Sequence, residues 1–586
     1  MNMNRAQVTD ILLEIAVLLD LQGESTFKIR AYQNGARALE TISEPLEVLV
    51  AEKRLGTIKG IGESLQQKIT EMVTTGKLEY YDQLKAAVPP GLLEMLQIPS
   101  LGPKKVKAIH DNLGISTVAD LEAACKAGRL SILDGFGART EAKILEGIDY
   151  RRKYASKHLL VEAILVAEPI LAALKNHPAV QRCSTAGSLR RLKEVIGDVD
   201  FVVSSQSPAE VIEFFVNQPG IVTVLAKGDT KSSVILPGGI QADLRVVSDQ
   251  EYPYALAYFS GSKEHNIVMR HRAIQKGLRL SEYGLFRSAE ETRDPALQVP
   301  CSSEEDIYKA LDLPFITPEL REDRGEFTAA EKGALPELIS WDDLKGSLHN
   351  HTDWSDGQDS LETLAAALVQ KGYSYWAVTD HSKAAFQAHG LDEARLKTQL
   401  AAVADINKRL EDSGISFRFL TGAEVDIVKT GLDFNDEILS QLDVVVASLH
   451  VASQDESENT QRLVAAAQNP HVHMLGHLSG RLLLRREPFK ISQQAVIDAC
   501  ADTGTWLELN AQPSRFDLDW RLWIQNRGRG IKCSINCDAH SLVDVEYLRF
   551  GIGQARKAWL TKADVINTSN LNELRELLGV KRAKVG

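Results

Sequence analysis

Residues 345–351 read KGSLHNH and end on two imidazoles, His349 and His351. Five later runs close in the same way: YWAVTDH on His381, FRFLTGAE on Glu424, LDVVVASLH on His450, VHMLGH on His477, and KCSINCDAH on Asp538 and His540. Asp356 follows the first run closely. Strand-like runs alternate with helical spacing from Trp341 to about residue 575, which predicts a parallel α/β barrel. Side chains at the C-terminal ends of parallel strands converge on one mouth of such a barrel. Nine imidazoles and carboxylates gathered there suit a cluster of divalent transition metals, since so many inward polar groups would otherwise lack neutralising partners. The expected ions are two or three Mn2+ or Zn2+, with Glu424 as the bridging carboxylate. Ions held this way activate water and clamp a phosphodiester for in-line attack, the chemistry of a phosphoester hydrolase. His389, His471 and His473 stand outside this pattern and read as structural.

The remaining sequence sets limits around that barrel. At 586 residues the chain exceeds one hydrophobic core, so several domains are expected. Its net charge of −12 is unevenly distributed. Residues 1–300 carry 36 basic and 36 acidic side chains, whereas residues 301–586 carry 31 and 43. An acidic, metal-binding half is therefore joined to a neutral half. Within the neutral half, residues 101–200 are net positive by four, a modest footprint for a phosphate backbone. The six cysteines are scattered without a CxxC pair and read as reduced thiols. No basic leader precedes an apolar core at the N-terminus, and no run approaches the ~20 apolar residues of a membrane span. A cytoplasmic protein without membrane contact is expected.

Composition and periodicity give the domain plan. Residues 1–150 are helical in spacing, with glycine-marked breaks. They divide at 88 into an N-terminal helical domain, 1–88, and a second helical segment, 89–150. Residues 151–262 mix helices with strand-like runs such as VDFVVS, SSVILP and QADLRVV, and 263–320 return to short mixed elements. Residues 321–340 are charged and carry Pro and Gly, so a linker is expected there. The barrel occupies 341–576.

Three glycine turns repeat within the first 150 residues: Gly60–Ile61–Gly62, Ser100–Leu101–Gly102 and Gly135–Phe136–Gly137. Each precedes an amphipathic helix start. Amides at such a turn and at a helix N-terminus face a phosphate well, and Lys104 and Lys105 add charge after the second turn. A single turn of this kind joins helices in many proteins; three in series point to helix-hairpin-helix binding of DNA without sequence preference.

The run STAGSLRRLKEVIGDVDFVVS carries a second site. Asp198 and Asp200 lie two apart in a strand, so both face one side. Asp243, in QADLRVV, lies in another strand that can pair beside them. Gly187–Ser188, ten residues before the first aspartate, opens a short helix whose amides and hydroxyl can hold a triphosphate. Three converging carboxylates can bind two Mg2+ or Mn2+ ions, which is the arrangement of a nucleotidyltransferase.

With these motifs in order, residues 1 to about 320 resemble the family X DNA polymerases. GSLRR, GDVDF, the ADLR strand and YFSGS carry the resemblance, followed by KEHNIVMRHRAIQKGLRLSEYGLF. It implies a helix-hairpin-helix N-terminal region followed by an α+β nucleotidyltransferase palm with a thumb. It further implies that Asp198, Asp200 and Asp243 bind the catalytic metals and that Gly187, Ser188 and Arg191 hold the triphosphate. Gly197 and Gly261 belong to the same nucleotide set. Tyr258 and Phe259 would crowd the sugar 2′ position, and Asn266 and Arg270 would meet the nascent pair and template. Ser260 stands where the family usually has Thr. Residues 1 to about 85 resemble the family's small domain, which in some members removes a 5′-deoxyribose phosphate through a lysine Schiff base. Lys68 matches the nucleophile, with Lys28 and Tyr32 flanking it. Ser64 replaces a lysine of the lyase-active members, which favours a phosphate-contacting or solvated Lys68.

Residues 341 to about 575 resemble the polymerase-and-histidinol-phosphatase (PHP) superfamily, through LHNHTDWSDG, TDHS, GAEVDI, SLH, GHLSGR and CDAH. The implied fold is a distorted (β/α)7 barrel, with WLELN and Asn510 completing seven strand runs. Arg481 of GHLSGR is a candidate phosphate contact or the partner of an acid. Fused to a family X polymerase, the barrel implies a 3′–5′ exonuclease or 3′-end-cleaning activity. The expectation is a monomeric gap-filling repair polymerase acting on gapped or nicked DNA with dNTPs, in base excision repair. The alternatives are a DNA-binding repair nuclease with a weak polymerase site, a transferase acting on tRNA or a small molecule, and a small-molecule phosphatase.

Overall fold

Apolar residues spaced three and four apart close the first 150 residues into helices around one core that runs from Val8 to Ile148. The computed structural model describes residues 3, 5–40, 46–58, 60–96, 98, 101–154, 156–288, 290 and 293–585. It divides into residues 1–155 and 156–586. The first unit contains α1 (Arg5–Gln22), α2 (Thr26–Glu40), α3 (Glu63–Thr75), α4 (Pro103–Leu113) and α5 (Ala138–Tyr154), joined by shorter helices. The expected boundary at residue 88 does not divide this core, and the one at 150 falls inside α5.

The second unit begins with a five-stranded sheet. Its strands are β1 (Arg182–Thr185), β2 (Asp198–Ser204), β3 (Thr223–Lys227), β4 (Lys231–Ile235) and β5 (Gln241–Val247), in the order β1-β2-β5-β4-β3. Only β2 and β5 are parallel. The short helix α6 (Gly187–Arg190) lies at the end of β1, and α7 (Tyr252–Ser260) and α8 (Lys263–Gln275) follow the sheet.

Residues 321–340, expected as a linker, are instead folded against this region. Arg321 is buried and donates to Glu304 at 2.7 Å. Glu326, at the start of α9 (Glu326–Glu331), is buried 2.9 Å from His265 Nδ1. Arg321 and Glu326 are satisfied internally and anchor the segment, while Asp323, Arg324, Glu331, Lys332 and Glu337 stay exposed.

The barrel follows as seven parallel strands in sequential order: β6 (Gly346–Ser347), β7 (Tyr375–Val378), β8 (Arg418–Val428), β9 (Val444–Ser448), β10 (Met474–Leu475), β11 (Trp506–Asn510) and β12 (Cys533–Asn536). The ring approaches closure at its C-terminal mouth. There Asp538 N donates to His349 O at 3.1 Å and His351 N to Ala539 O at 2.8 Å. Leu348, Leu420, Val446 and Met474 fill the interior, and Leu574 and Leu578 close its floor. The terminal helix therefore continues past the expected edge at 576, as Leu571–Val585. No helix among the described residues is long and apolar enough to cross a membrane.

Palm and barrel share a buried contact. Phe516 and Phe550 of the barrel join the palm core. Glu194 of the palm accepts from Trp520 Nε1 at 3.0 Å and from Arg521 at 2.8 Å. Burial pushes this carboxyl up, but Arg521 and Arg481 outweigh it and hold it at about 2, below its ordinary 4.5. A depressed carboxyl stabilises the fold above its unfolded pKa and loses that contribution as pH falls from about 4.5 towards 2. Glu194→Gln should remove this acid limb. At neutral pH it should cost about 2 kcal/mol, because Arg521 loses Glu194 and keeps only Asp519 at 2.9 Å, read as a lower Tm in thermal unfolding.

Candidate active sites

The palm sheet brings the three predicted aspartates together. Asp200 and Asp243 are direct register partners on β2 and β5, and Asp198 lies two residues before Asp200 on the same face. Burial, then the charges of Asp198 and Asp243, push the Asp200 carboxyl up to about 7. Lys231, whose Nζ is 3.2 Å from Asp243 Oδ2, partly offsets that crowding, and Gln241 donates to Asp243 at 3.0 Å. Like charges held this close call for a cation, so the donor set fits divalent metal.

Gly187 explains how a loop approaches the triad. Its φ is +59°, and a Cβ there would fall 2.2 Å from Asp200 Oδ2. Only glycine lets α6 begin against the carboxylate. Ser188 follows in the same turn. Gly197 immediately precedes Asp198, and a Cβ on it would lie 2.8 Å from Lys157 Nζ. Arg191 is in the expected loop, but its guanidinium is committed: Nε donates to Glu322 at 3.0 Å and Nη1 to Ser260 O at 2.5 Å. The Ser260 hydroxyl accepts from Arg190 at 2.5 Å, so the Thr-to-Ser departure keeps an oxygen there. Gly261, with φ +67°, passes close beside Arg191.

Tyr258 and Phe259 are half-buried rather than core, with rings edge to face at 5.2 Å. Asn266 Nδ2 donates to Tyr258 O at 2.7 Å, which ties α8 to the end of α7. Arg270, one turn on, lines a cavity of about 620 Å3 with Tyr258, Ile267 and Arg293.

In the barrel all nine predicted ligands converge. His351, Asp356, His381 and His540 form one group, and His349, His351 and Glu424 a second. His349, His477 and Asp538 form a third, and His381, Glu424 and His450 a fourth. Within each group the donor atoms lie within 4.8 Å of one another. Glu424 is central: His381 Nδ1 is 2.8 Å away, His477 Nε2 3.0 Å and His450 Nε2 3.2 Å. His349 Nε2, His351 Nδ1 and His477 Nδ1 are buried without hydrogen bonds. Such orphaned atoms are the mark of a metal cluster. Burial, then the neighbouring His540 and His381, hold His351 at about 3, so its imidazole is neutral and ready to ligate.

Sequence reading missed the groups that orient these ligands. Glu508 is buried and accepts from His349 Nδ1 at 2.8 Å, turning Nε2 toward the cluster. Asp426 does the same for His450 at 2.8 Å, and Asn510 donates to Asp538 at 3.0 Å. The available signal was parity: Asp426 is two residues past Glu424, and Glu508 two before Asn510, on strands. Arg481 is not a phosphate contact here, because it is buried against Asp519 at 2.6 Å and the carbonyls of Arg515 and Phe516. His389, His471 and His473 join none of the four groups.

In the helical unit, Gly62 and Gly102 cap α3 and α4 with no side-chain bond to the first-turn amides. Gly60 and Gly135 take positive φ, and a Cβ at Gly62, Gly102, Gly135 or Gly137 would meet nothing within 4 Å. Gly62 and Gly102 have φ of −75° and −90°, which any residue adopts, so neither packing nor strain requires glycine there. A bare amide open to a phosphate is what it supplies. Lys104 and Lys105 lie in the first turn of α4. Ser100 lies outside the described residues. Lys68 is half-buried, 2.9 Å from Ser64 Oγ and 4.9 Å from the Tyr80 ring centroid. Burial, then the charge of Lys28, lower its ammonium pKa. Lys28 thus stands as a nearby cation, while Ser64 offers Lys68 a hydroxyl in place of a lysine.

Family comparisons agree with this geometry. Residues 3–78 match a helix-hairpin-helix domain, 92–149 a SAM-like helix-hairpin-helix tandem, 255–322 the DNA polymerase beta thumb and 347–511 the PHP domain. The chain is 35% identical over 580 residues to the DNA polymerase/3′-5′ exonuclease PolX of Bacillus subtilis (strain 168), covering 98% of this chain and 99% of that protein. It is 24% identical to DNA polymerase lambda of Rattus norvegicus over 54% of this chain and 56% of that one. Over 42% of this chain it is 27% identical to a "Probable phosphatase" of Thermoanaerobacter sp. (strain X514), 98% of which is covered. A carboxylate triad on a palm, a polymerase beta thumb and a nine-ligand barrel in one chain, matched end to end by such a relative, place it among the family X DNA polymerases that carry a C-terminal PHP domain.

Proposed function

We infer that this chain is a template-directed DNA polymerase that fills short gaps in base excision repair, with a metal-dependent 3′–5′ exonuclease in its PHP barrel. The observation that carries this is the completeness of both sites: Asp200 lies opposite Asp243 beside Asp198, and nine ligands gather at the barrel mouth. The substrates are gapped or nicked DNA and dNTPs, and the working unit is a cytoplasmic monomer.

In synthesis, the primer 3′ oxygen attacks the α-phosphorus of a dNTP, and pyrophosphate leaves. Asp198, Asp200 and Asp243 would hold Mg2+ or Mn2+, which when bound lowers the pKa of the attacking hydroxyl and supports the leaving group. Gly187, Ser188 and Arg191 hold the triphosphate, with Gly197 and Gly261 keeping their loops close. Tyr258 and Phe259 crowd the sugar 2′ position. Asn266 and Arg270 meet the nascent pair and the template. In the barrel, water attacks the terminal phosphodiester, the P–O3′ bond breaks, and the preceding 3′ hydroxyl and a nucleoside 5′-monophosphate are released. The nine ligands would hold two or three Mn2+ or Zn2+ ions, which supply Lewis-acid activation when bound. Glu508 and Asp426 keep His349 and His450 in the ligating tautomer and orientation. A 5′-labelled primer ending at a short gap tests both activities together: it should lengthen with dNTPs and shorten without them. No lengthening in Mg2+ or Mn2+ would sink the polymerase reading.

The glycine turns are read as DNA contacts at Gly60, Gly62, Gly102, Gly135 and Gly137, with Lys104 and Lys105. Lys104→Glu/Lys105→Glu should weaken binding to gapped DNA about tenfold or more at low salt and reduce the slope of log K against log salt by about 2. Equal slopes for wild type and variant would remove these lysines from the interface.

A lyase role for Lys68 is supported by its half-buried position and by Lys28, since a Schiff-base lysine needs a depressed pKa. Borohydride should trap the protein on DNA bearing a 5′-deoxyribose phosphate, and Lys68→Ala should abolish the cross-link. If the wild type gives none, Lys68 returns to a phosphate contact.

A further inference from the structure

The barrel reaches into the polymerase half through α11 (Tyr547–Lys557), which follows α10 (Trp520–Gln525) in the chain. Lys557 is fully buried, and its ammonium donates to Glu322 Oε1 at 2.6 Å, Arg191 O at 3.0 Å and Glu319 O at 3.4 Å. Gln554, nearly one turn earlier, donates to Leu192 O at 2.8 Å. Two side chains of the barrel thus hold the loop that follows GSLRR. The Glu322 oxygen that accepts from Lys557 also accepts from Arg191 Nε, at 3.0 Å. One buried carboxylate is shared by a palm cation and a barrel cation.

That sharing has a consequence for the triphosphate. To present its Nε side to a phosphate as a two-toothed fork, the Arg191 guanidinium must leave Glu322. A buried carboxylate left without a cation is strongly penalised, so the exchange is favourable only if another cation stays behind. Lys557 is that cation. Without it, Glu322 would hold Arg191 as its remaining ion-pair partner. Burial lowers the Lys557 ammonium to about 8 against the pull of Glu322, consistent with a charge kept there by its partner.

We propose that Lys557 of the PHP domain is a positioning residue of the polymerase site, which by sharing Glu322 releases Arg191 to the incoming triphosphate. Nucleotide affinity at the aspartate site then depends on a barrel residue that touches neither metal cluster. This rests on the reading of Arg191 as a triphosphate contact.

The test is steady-state single-nucleotide gap filling by the full chain. Lys557→Met should raise KM for the dNTP about tenfold while kcat stays within about twofold, and 3′ shortening should be unchanged. Lys557→Arg should keep KM near wild type. Glu322→Gln/Lys557→Met removes the competing anion together with its cation, and should return KM to within about threefold of wild type. A purely structural clamp would instead leave the double variant as impaired as the single one. Unchanged KM in Lys557→Met, an unrescued double variant, or a joint fall of extension and shortening would each overturn the proposal. Arg191→Ala separates the two ideas. If it leaves KM unchanged, the triphosphate role of Arg191 fails and takes the proposal with it. If it raises KM while Lys557→Met does not, only the role of Lys557 fails.

Discussion

Asp198→Ala/Asp200→Ala should abolish primer extension, by ~10³-fold or more, and leave 3′ shortening at the wild-type rate. The double change removes two of three carboxylates from a site where Asp200 and Asp243 face each other across parallel strands. The remaining Asp243 already accepts from Gln241 and pairs with Lys231, so it cannot hold the divalent charge by itself. Stability should not fall, because the wild-type triad is mutually repulsive, as the raised Asp200 carboxyl indicates. A related result concerns pH. A carboxyl raised to about 7 is protonated below that value, so cation and proton compete for Asp200. The Mg2+ concentration giving half-maximal extension should therefore rise as pH drops below about 7 and level off above it. A flat dependence on pH would remove Asp200 from the metal site.

His349→Ala/His351→Ala should do the converse: 3′ shortening falls by ~10³-fold or more while gap filling persists. Each of these imidazoles belongs to two of the four ligand groups, so every group loses at least one donor except the one formed by His381, Glu424 and His450. The loss of His349 also strips Glu508 of a buried partner at 2.8 Å. Metal binding should be visible without activity. Buried donor atoms that lack hydrogen bonds gain their partner from the ion, so Mn2+ or Zn2+ should raise the Tm of wild type by mass action, and a chelator should lower it. The double variant should lose most of that response. Shortening that survives in the variant would move the nuclease away from the barrel mouth.

The two sites differ in how far the sequence alone exposed them. Asp198 and Asp200 were legible because strand parity is a local rule, and Asp243 because it occupies the same kind of run. Eight of the nine barrel ligands were legible because each closes a strand-like run, and Asp356 because it closely follows the first; strand ends meet at one mouth whatever the loops do. Glu508 and Asp426 were not. They sit inside the runs WLELN and GAEVDI, where facing the cluster depends on how each strand is rotated in the barrel. Tyr80, beside Lys68, comes from another helix and carries no sequence signal that ties it to that site.

Local pattern, then, determined the barrel, the palm strands, the glycine turns and both sets of metal-type residues, because period and strand-end position are properties of short segments. Tertiary structure decided everything that depends on which charge meets which. It anchored residues 321–340 by pairing Arg321 with Glu304 and Glu326 with His265. It turned Arg481 to Asp519 and away from substrate, and it set Lys557 of the barrel on the Glu322 that also holds Arg191. Composition counts such charges as solvated, but a buried charge is kept only by its partner. Partners more than 200 residues apart, as Lys557 and Glu322 are, become neighbours only when the barrel packs on the palm.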